Sequence, residues 1–516
     1  MLRRNFLKTL GIGAAGAALV PGVLRAKDAL TGSSKNQYSA EGKDKPNVLL
    51  LLADDQTFKS IHAWNNPEVH TPNIDKLFQN GTTFTHAYNQ GAWNGAVCVA
   101  SRAMLNTGRY LFRTGGQSAG NGRYPLWGRT LGKAGYETFM TGKWHNWDNS
   151  RKLSFKHLGK HGGGMFRSHK KGTANPYNRP GKGNTWSPSD KSLTGHWRKV
   201  NGKIVHSSKL WADESISFLN NIAAKSADPF FMYVAFHAPH DPRQSPKKYV
   251  DMYPRNKIKI PKNYMNLHPF DQGHAKIRDE KLAPFPRTKE SVKLHLQEYY
   301  AIITHADAQI GRILDALDKT GKRDNTIIIF TADHGLSCGR HGLMGKQNQY
   351  DHSVRVPLIF SGPGIEKGKK IDTPVYYQSI HPTTLEMAKV PVPKTVDFPS
   401  LVPVLQGKKQ KVHDYIFGSY MGFQRMVTDT EFKLIRYPHN GKAQLFDLRK
   451  DPLELKNLYS DPKYKDKIAE LDKAMQKWMT RAGDPMDFKN PKAIDWRSYN
   501  SGRFKRVRKP RKTGRK

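Results

Sequence analysis

The strongest constraint on this chain is a pattern that occurs four times: an apolar, strand-length run that ends directly in acids, histidines or lysines. Residues 48–53 lead into Asp54-Asp55, and 138–141 lead into Gly142-Lys143-Trp144-His145. Residues 230–236 lead into His237-Ala238-Pro239-His240, and 326–331 lead, through Ala332, into Asp333-His334-Gly335. Short apolar runs without alternation are the pattern of strands buried on both faces. A fifth run spans 357–360, and helical patterns lie between the runs at 73–79, 101–107, 210–223 and 290–319. Strands alternating with helices predict an α/β fold with a mostly parallel central sheet flanked by helices. In such sheets ligands bind at the carboxyl ends of the strands. The four clusters are therefore expected on one edge, facing one site.

This region, residues 45–410, reads as a catalytic domain. Beyond it, strand patterns at 415–419, 425–428, 433–436 and 443–447 and a helix at 465–481 predict a smaller C-terminal α+β subdomain over 411–485. Residues 486–516 read as a basic tail. The start, Arg3-Arg4-Asn5-Phe6-Leu7-Lys8 followed by a soft apolar run to Leu24, reads as a twin-arginine-type signal peptide over 1–27. Export to the periplasm or beyond the cell is the expectation. No later stretch approaches the roughly 18 apolar residues of a spanning helix, so no membrane insertion is expected.

Lys and Arg number 85 against 43 Asp and Glu, a formal net charge of +42. That excess points to an anionic substrate or partner. Nucleic acid would account for the charge but not for the four clusters, so no nucleic-acid partner is expected. Two cysteines, Cys98 and Cys338, exclude a disulfide framework and a multi-thiolate metal site.

Asp54, Asp55 and Asp333 on one edge would repel one another unless a cation sat among them. Three carboxylates without a thiolate cluster suit calcium or magnesium better than zinc. His334 reads either as a further ligand or as a hydrogen-bond donor behind one. Cys98 lies in Asn94-Gly95-Ala96-Val97-Cys98-Val99-Ala100-Ser101-Arg102, at the expected N-terminus of a helix ending near Gly108. Unpaired amides and the helix dipole favour an anion or a nucleophile there, and Arg102, four residues on, shares its face. Without further context Cys98 reads equally as a nucleophile, a small buried hydrophobe or half of a disulfide with Cys338.

Taken together and in order, these segments resemble the type I, formylglycine-dependent sulfatases of the alkaline-phosphatase-like superfamily. The family signature is Cys or Ser, any residue, Pro or Ala, any residue, Arg. Cys98-Val99-Ala100-Ser101-Arg102 matches it and is followed by Leu105-Asn106-Thr107-Gly108-Arg109. Asp54-Asp55, Gly142 to His145, His237 to His240, Thr331 to Gly335, Gly345-Lys346 with Tyr350, and Arg355-Val356-Pro357-Leu358 complete the set, over roughly residues 45 to 485. The chain departs from the common pattern at Ala100 (usually Pro), Asp351 (often Glu) and His334 (often Asn).

The resemblance implies that a maturation enzyme converts Cys98 to formylglycine, whose hydrate attacks sulfur and whose collapse expels sulfate. It implies one calcium ion held by Asp54, Asp55, the modified Cys98, Asp333 and His334. Arg102 would polarise the formylglycine, His145 would act as base for the collapse, and Lys143 and Lys346 would clamp the sulfate. His237 would be the general acid, titrating near neutrality if unperturbed, and His240 would share that role or contact the sugar. The expected substrate is a sulfated polysaccharide or its oligosaccharides, algal or glycosaminoglycan in type, met by Lys160, Arg167, Lys170 and Lys171 and stacked on Trp186 or Trp197. The alternatives are a phosphate or phosphonate monoester hydrolase of the same superfamily, an aryl- or choline-sulfatase-like enzyme for small esters, or a non-catalytic binder of sulfated glycans.

Overall fold

Asn47–Ala53 (β1) is buried without a break, as an apolar run without alternation requires of a strand covered on both faces. The computed structural model describes residues 45–116, 123–163, 175–191, 196–273, 275–501 and 505–506. The export signal and Arg167, Lys170 and Lys171 lie outside the described residues. Around β1 the sheet adds β2 (Gly81–Phe84), β3 (Glu137–Lys143), β4 (His157–Gly162), β5 (Phe230–Ala235), β6 (Thr326–Ala332), β7 (Leu358–Ser361) and β8 (Lys369–Ile371). The spatial order is β8-β2-β7-β6-β1-β5-β3-β4. Only β7 runs against its neighbours, so the central sheet is mostly parallel. Helices α1 (Pro72–Gln79), α2 (Val97–Thr107), α3 (Ser207–Phe218) and α4 (Lys289–Lys319) flank it.

Register places the polar clusters. Ala53 pairs with Ala332, Leu52 with Ala235, and Gly142 with Ala235, so β1, β3, β5 and β6 end level. Asp54, Lys143, His237 and Asp333 therefore leave the sheet at one height. The turns are stitched by backbone bonds: Asp54 N–H donates to Ala238 O at 3.0 Å and Asp333 N–H to Ala53 O at 3.2 Å.

The C-terminal part is an antiparallel meander of Ile416–Tyr420, Gln424–Thr428, Phe432–Tyr437 and Lys442–Asp447 against helix α5 (Lys465–Ala482). Its outer strand is one the sequence reading did not foresee. Gly91–Ala92, seven residues before Cys98, pairs in parallel with Ser419-Tyr420. Only glycine fits there: a Cβ on Gly91, at φ 106°, would lie 1.8 Å from Ser419 O. The small subdomain thus anchors the loop that carries Cys98. Trp496 and Tyr499, within the range read as tail, are buried against Phe112 and Trp93.

Arg425 and Asp484 form a fully buried ion pair in this subdomain, with Nη2 to Oδ1 at 2.8 Å. Removing one member strands the other charge, so Arg425→Ala is expected to cost about 3–5 kcal/mol. Arg425→Met with Asp484→Leu should recover most of it. Urea unfolding of the three chains checks this, and an additive double variant would mean the pair is not coupled.

Candidate active site

Cys98 sits in the first turn of α2, nearly without solvent exposure. Its Sγ lies 3.0 Å from Asp54 Oδ1, 3.4 Å from Asp55 Oδ1 and 3.1 Å from Lys346 Nζ. Cys98 and Cys338 are both free, which removes the disulfide reading. Asp55 holds a left-handed backbone at φ 67°, and its N–H donates to Asp333 Oδ1 at 3.2 Å. Strain of this kind in a non-glycine residue persists only where surrounding bonds hold it.

Three cationic side chains meet the three carboxylates. Arg102 Nε donates to Asp333 Oδ2 at 2.8 Å, Lys143 Nζ pairs with Asp54, and Lys346 Nζ donates to both oxygens of Asp55 at 2.6 Å. Arg102 Nη1 also donates to Lys143 O at 2.6 Å, tying α2 to the end of β3. That strand end is shaped by Gly142, at φ 96°, where a Cβ would lie 1.8 Å from Ala235 O. Burial and the neighbouring carboxylate of Asp333 push the Asp54 pKa up, and burial pushes Asp55 to about 7. Burial acts on Asp333 too, but Arg102, Lys143 and Lys346 outweigh it and hold the carboxyl down to about 2.

The histidines depart from the sequence expectation. Burial, reinforced by Lys143, Arg102 and Lys346 around His145, by Arg198 and Lys143 around His237, and by Lys346 and Lys143 around His240, pushes all three well below the usual imidazole range. None titrates near neutrality in the free enzyme. His240 Nδ1 lies 2.6 Å from Asp241 O, which accepts its proton and turns the Nε2 lone pair toward Asp55 Oδ2 at 3.6 Å. That lone pair is open to a cation beside Asp55, whose carboxylate otherwise accepts, among the described residues, only from Lys346 and the Cys98 thiol. Ligand atoms from Asp54, Asp55, Cys98 and His240 all lie within 4.8 Å of one another. Asp333, held by Arg102, and His334, with Nδ1 on Gly335 O at 3.2 Å, are not part of that set.

Some supporting residues left no readable sequence signal. Ser101 Oγ donates to Asp333 O at 2.6 Å and contacts the Tyr377 hydroxyl. Glu280 accepts the N–H groups of Met344 and Gly345 at 2.9 and 2.8 Å, fixing the turn before Lys346, and is itself paired with buried Arg287. Of the expected sugar contacts, Lys160 pairs with Glu214 at 2.6 Å, Trp186 lies under the Arg179 guanidinium, and Trp197 meets the edge of His206.

The loop carrying His237 and His240 rests on buried imidazoles. His196 and His206 stack at 5.4 Å, and His206 meets His305 at 4.3 Å. His206 Nδ1 accepts from Ser208 N–H, which leaves Nε2–H to donate to Gln244 O, and His196 Nε2 lies 3.0 Å from His240 O. Burial holds His196 and His206 down to about 3. The unfolded chain binds these protons near 6.5, so their stabilising effect is complete above pH 6.5 and is lost as pH falls toward 3. Unfolding free energy should fall across that window by about 1.4 kcal/mol per pH unit for each histidine, and the melting temperature should fall with it. His206→Gln should flatten the slope; an unchanged slope would show that other groups control acid stability.

A family model described as Sulfatase matches residues 46–390, and one described as N-sulphoglucosamine sulphohydrolase, C-terminal, matches residues 339–481. With this fold and this cluster, the chain is a hydrolase of the alkaline-phosphatase-like superfamily. Within it, the chain belongs to the sulfatase family, whose members are sulfuric ester hydrolases. It is 30% identical over 463 residues to an arylsulfatase of Clostridium perfringens, covering 84% of this chain and 94% of that one. It is 27% identical over 498 residues to an ulvan-active sulfatase of Formosa agariphila, covering 88% and 84%. A structure solved in complex with its substrate D-glucosamine-2-N,6-O-disulfate shares the fold, with a TM-score of 0.67 at 22% identity over 86% of this chain and 99% of that one.

Proposed function

We propose that this enzyme removes sulfate from a sulfated carbohydrate, with Cys98 converted to formylglycine and one calcium ion held beside it. The observation that carries the reading is the position of Cys98, within hydrogen-bond reach of Asp54, Asp55 and Lys346 at once. The donor set fits a hard cation: Asp54, Asp55 and residue 98 from the expected ligands, with His240 contributing a lone pair, and Asp333 and His334 at its border. When bound, the ion and the hydrated formylglycine supply an acidified nucleophilic hydroxyl and shield the sulfuryl oxygens. Charge supports the same reading. Asp54, Asp55 and Asp333 are already balanced by Arg102, Lys143 and Lys346, so a divalent ion leaves an excess of two positive charges. A sulfate monoester and an ionised nucleophile supply the two negative charges that match it.

Each side chain then has a defined task. Arg102 holds Asp333 and the Lys143 carbonyl in place, while the Lys143 and Lys346 ammonium groups lie where sulfate oxygens arrive. His237 donates its Nε2 proton to Gly163 O at 3.0 Å; burial first, then Arg198 and Lys143, depress its proton affinity, and an incoming anion that offsets this field would let it take up the second proton that a general acid delivers. The carbohydrate reading is supported by the ulvan-active relative and by the net charge of +42. Export through the twin-arginine route is part of the proposal and rests on residues 3–26; cell fractionation with and without Arg3-Arg4 tests it.

The deciding experiment measures sulfate release from defined sulfated oligosaccharides by mass spectrometry, beside an aryl sulfate and an aryl phosphate. Faster turnover of the phosphate ester than of any sulfate ester would replace this reading by the phosphohydrolase one. His237→Ala should lower kcat by about 10²–10⁴-fold on sugar sulfates. An aryl sulfate, whose leaving group needs less protonation, should lose much less; equal losses would remove His237 from the role of acid.

A further inference from the structure

Next to His237, between β4 and the hairpin of Trp197–Val200 and Lys203–His206, lies a cavity of about 460 Å³. Its lining includes Lys160, His161, Arg198, Lys199 and Trp211 and, among the described residues, no acidic side chain. Two of these charges have partners, Lys160 with Glu214 at 2.6 Å and His161 with Asp148 at 3.7 Å. Arg198 has no carboxylate within 4.0 Å among the described residues, and its Nε is shut off from solvent without an acceptor. The guanidinium stands 5.2 Å over the Trp211 ring, and Trp211 stacks on His237 at 5.6 Å. A Cβ built on Gly162 would fall 2.3 Å from Arg198 Nη2 and 2.7 Å from His237 Nε2, so the two side chains converge on one point.

A guanidinium does not shed its proton, so partial burial without a counter-charge is unfavourable unless a ligand brings one. Arg198 approaches from the side of His237, the group assigned to the leaving oxygen. A charge that meets Arg198 therefore sits on the part of the substrate that remains after sulfate departs. Trp211, under the guanidinium, limits where that charge can lie.

We propose that Arg198, with Lys199 at the rim, binds a second anionic group, sulfate or carboxylate, on the sugar from which sulfate is removed, and that the enzyme selects carbohydrates with two negative groups close together. This rests on the carbohydrate sulfatase reading and on the side assigned to His237. It goes beyond that reading by naming a specificity residue and the charge pattern it selects.

The test compares the matured native enzyme with Arg198→Gln and Arg198→Lys. The substrates are an aryl sulfate and three oligosaccharides of one backbone: singly sulfated, doubly sulfated, and singly sulfated with a uronate. The native enzyme should favour a doubly charged sugar over the singly sulfated one by about tenfold to a hundredfold in kcat/KM, the worth of a hydrogen bond to a charged group. Arg198→Gln should erase that preference mainly through KM, with a far smaller effect on the aryl ester, and Arg198→Lys should keep part of it. Which doubly charged sugar loses more tells sulfate from carboxylate. A native enzyme without preference overturns the proposal. So does an equal loss on every substrate, aryl sulfate included, which would assign Arg198 to holding Trp211 and His237. Thermal shifts with the same sugars provide a readout without turnover. If no ester is hydrolysed but the doubly charged sugar stabilises native protein and not Arg198→Gln, the reaction reading fails and the anion site stands. Equal shifts in both proteins overturn the site.

Discussion

Cys98→Ala should release no sulfate from any ester while melting close to the native chain. Alanine suits the first turn of α2, and the exchange removes only the Sγ that approaches Asp54, Asp55 and Lys346. The fold therefore has no reason to change. The reaction, in contrast, would on the formylglycine reading lose its nucleophile, because an alanine methyl cannot be converted to the aldehyde whose hydrate oxygen attacks sulfur, and the drop should approach the whole rate enhancement, at least about 10⁶-fold for a typical enzyme. Peptide mass spectrometry at residue 98 must accompany the assay, because Ala100 replaces the commoner proline in the maturation signature and incomplete conversion scales the native rate down. A Cys98→Ala chain that still turns over an aryl sulfate well above the spontaneous rate would place the nucleophile elsewhere and remove the formylglycine reading.

The parts of the site that were legible in the sequence are those attached to strands. β1, β3, β5 and β6 each announce themselves by a run buried on both faces, and their level ends follow from parallel pairing, so Asp54, Lys143, His237 and Asp333 were bound to meet. The long helix α4 was equally readable, expected at 290–319 and found at Lys289–Lys319, whereas the reciprocal capping by Thr288 and Ser291 comes from the structure alone. What stayed hidden depends on distance along the chain. Nothing near Gly91 tells that it will lie against Ser419, nor does Tyr377 signal a contact with Ser101, because a two-residue strand and a single tyrosine carry no periodicity. The histidine proton affinities were hidden for another reason. A sequence gives the unperturbed imidazole, whereas burial and the cations around His145, His237 and His240 set its behaviour. Arg198 is of the same kind: the sequence showed a basic segment, and only the fold shows that, among the described residues, this guanidinium has a ring beneath it and no carboxylate beside it.

Removing calcium should cost both stability and rate, and the charge arrangement dictates how to read the result. Ligand binding to the native state alone stabilises by RT ln(1 + [L]/Kd), about 2.7 kcal/mol at a hundred times Kd. Calcium added to thoroughly chelated protein should therefore raise the melting temperature and restore sulfate release, with magnesium less effective because it demands a tighter octahedral shell. Asp54→Asn is the obvious variant, but it also leaves the buried Lys143 ammonium without its carboxylate, a penalty of several kcal/mol that has nothing to do with metal. Absolute stability of that variant is thus uninformative, and the quantity to compare is the shift that calcium produces in each chain. In Asp54→Asn and Asp55→Asn that shift should shrink toward zero. In Lys143→Gln, where the lysine competing for Asp54 is gone, it should persist or grow. His240→Ala separates the two ligand arrangements: a reduced shift makes the imidazole a ligand beside Asp54 and Asp55, and a full shift leaves the ion to the carboxylates and residue 98. If calcium moves the melting temperature of none of these chains, and chelation leaves native activity intact, the three carboxylates serve only to position Arg102, Lys143 and Lys346, and the reaction proceeds on those three cations.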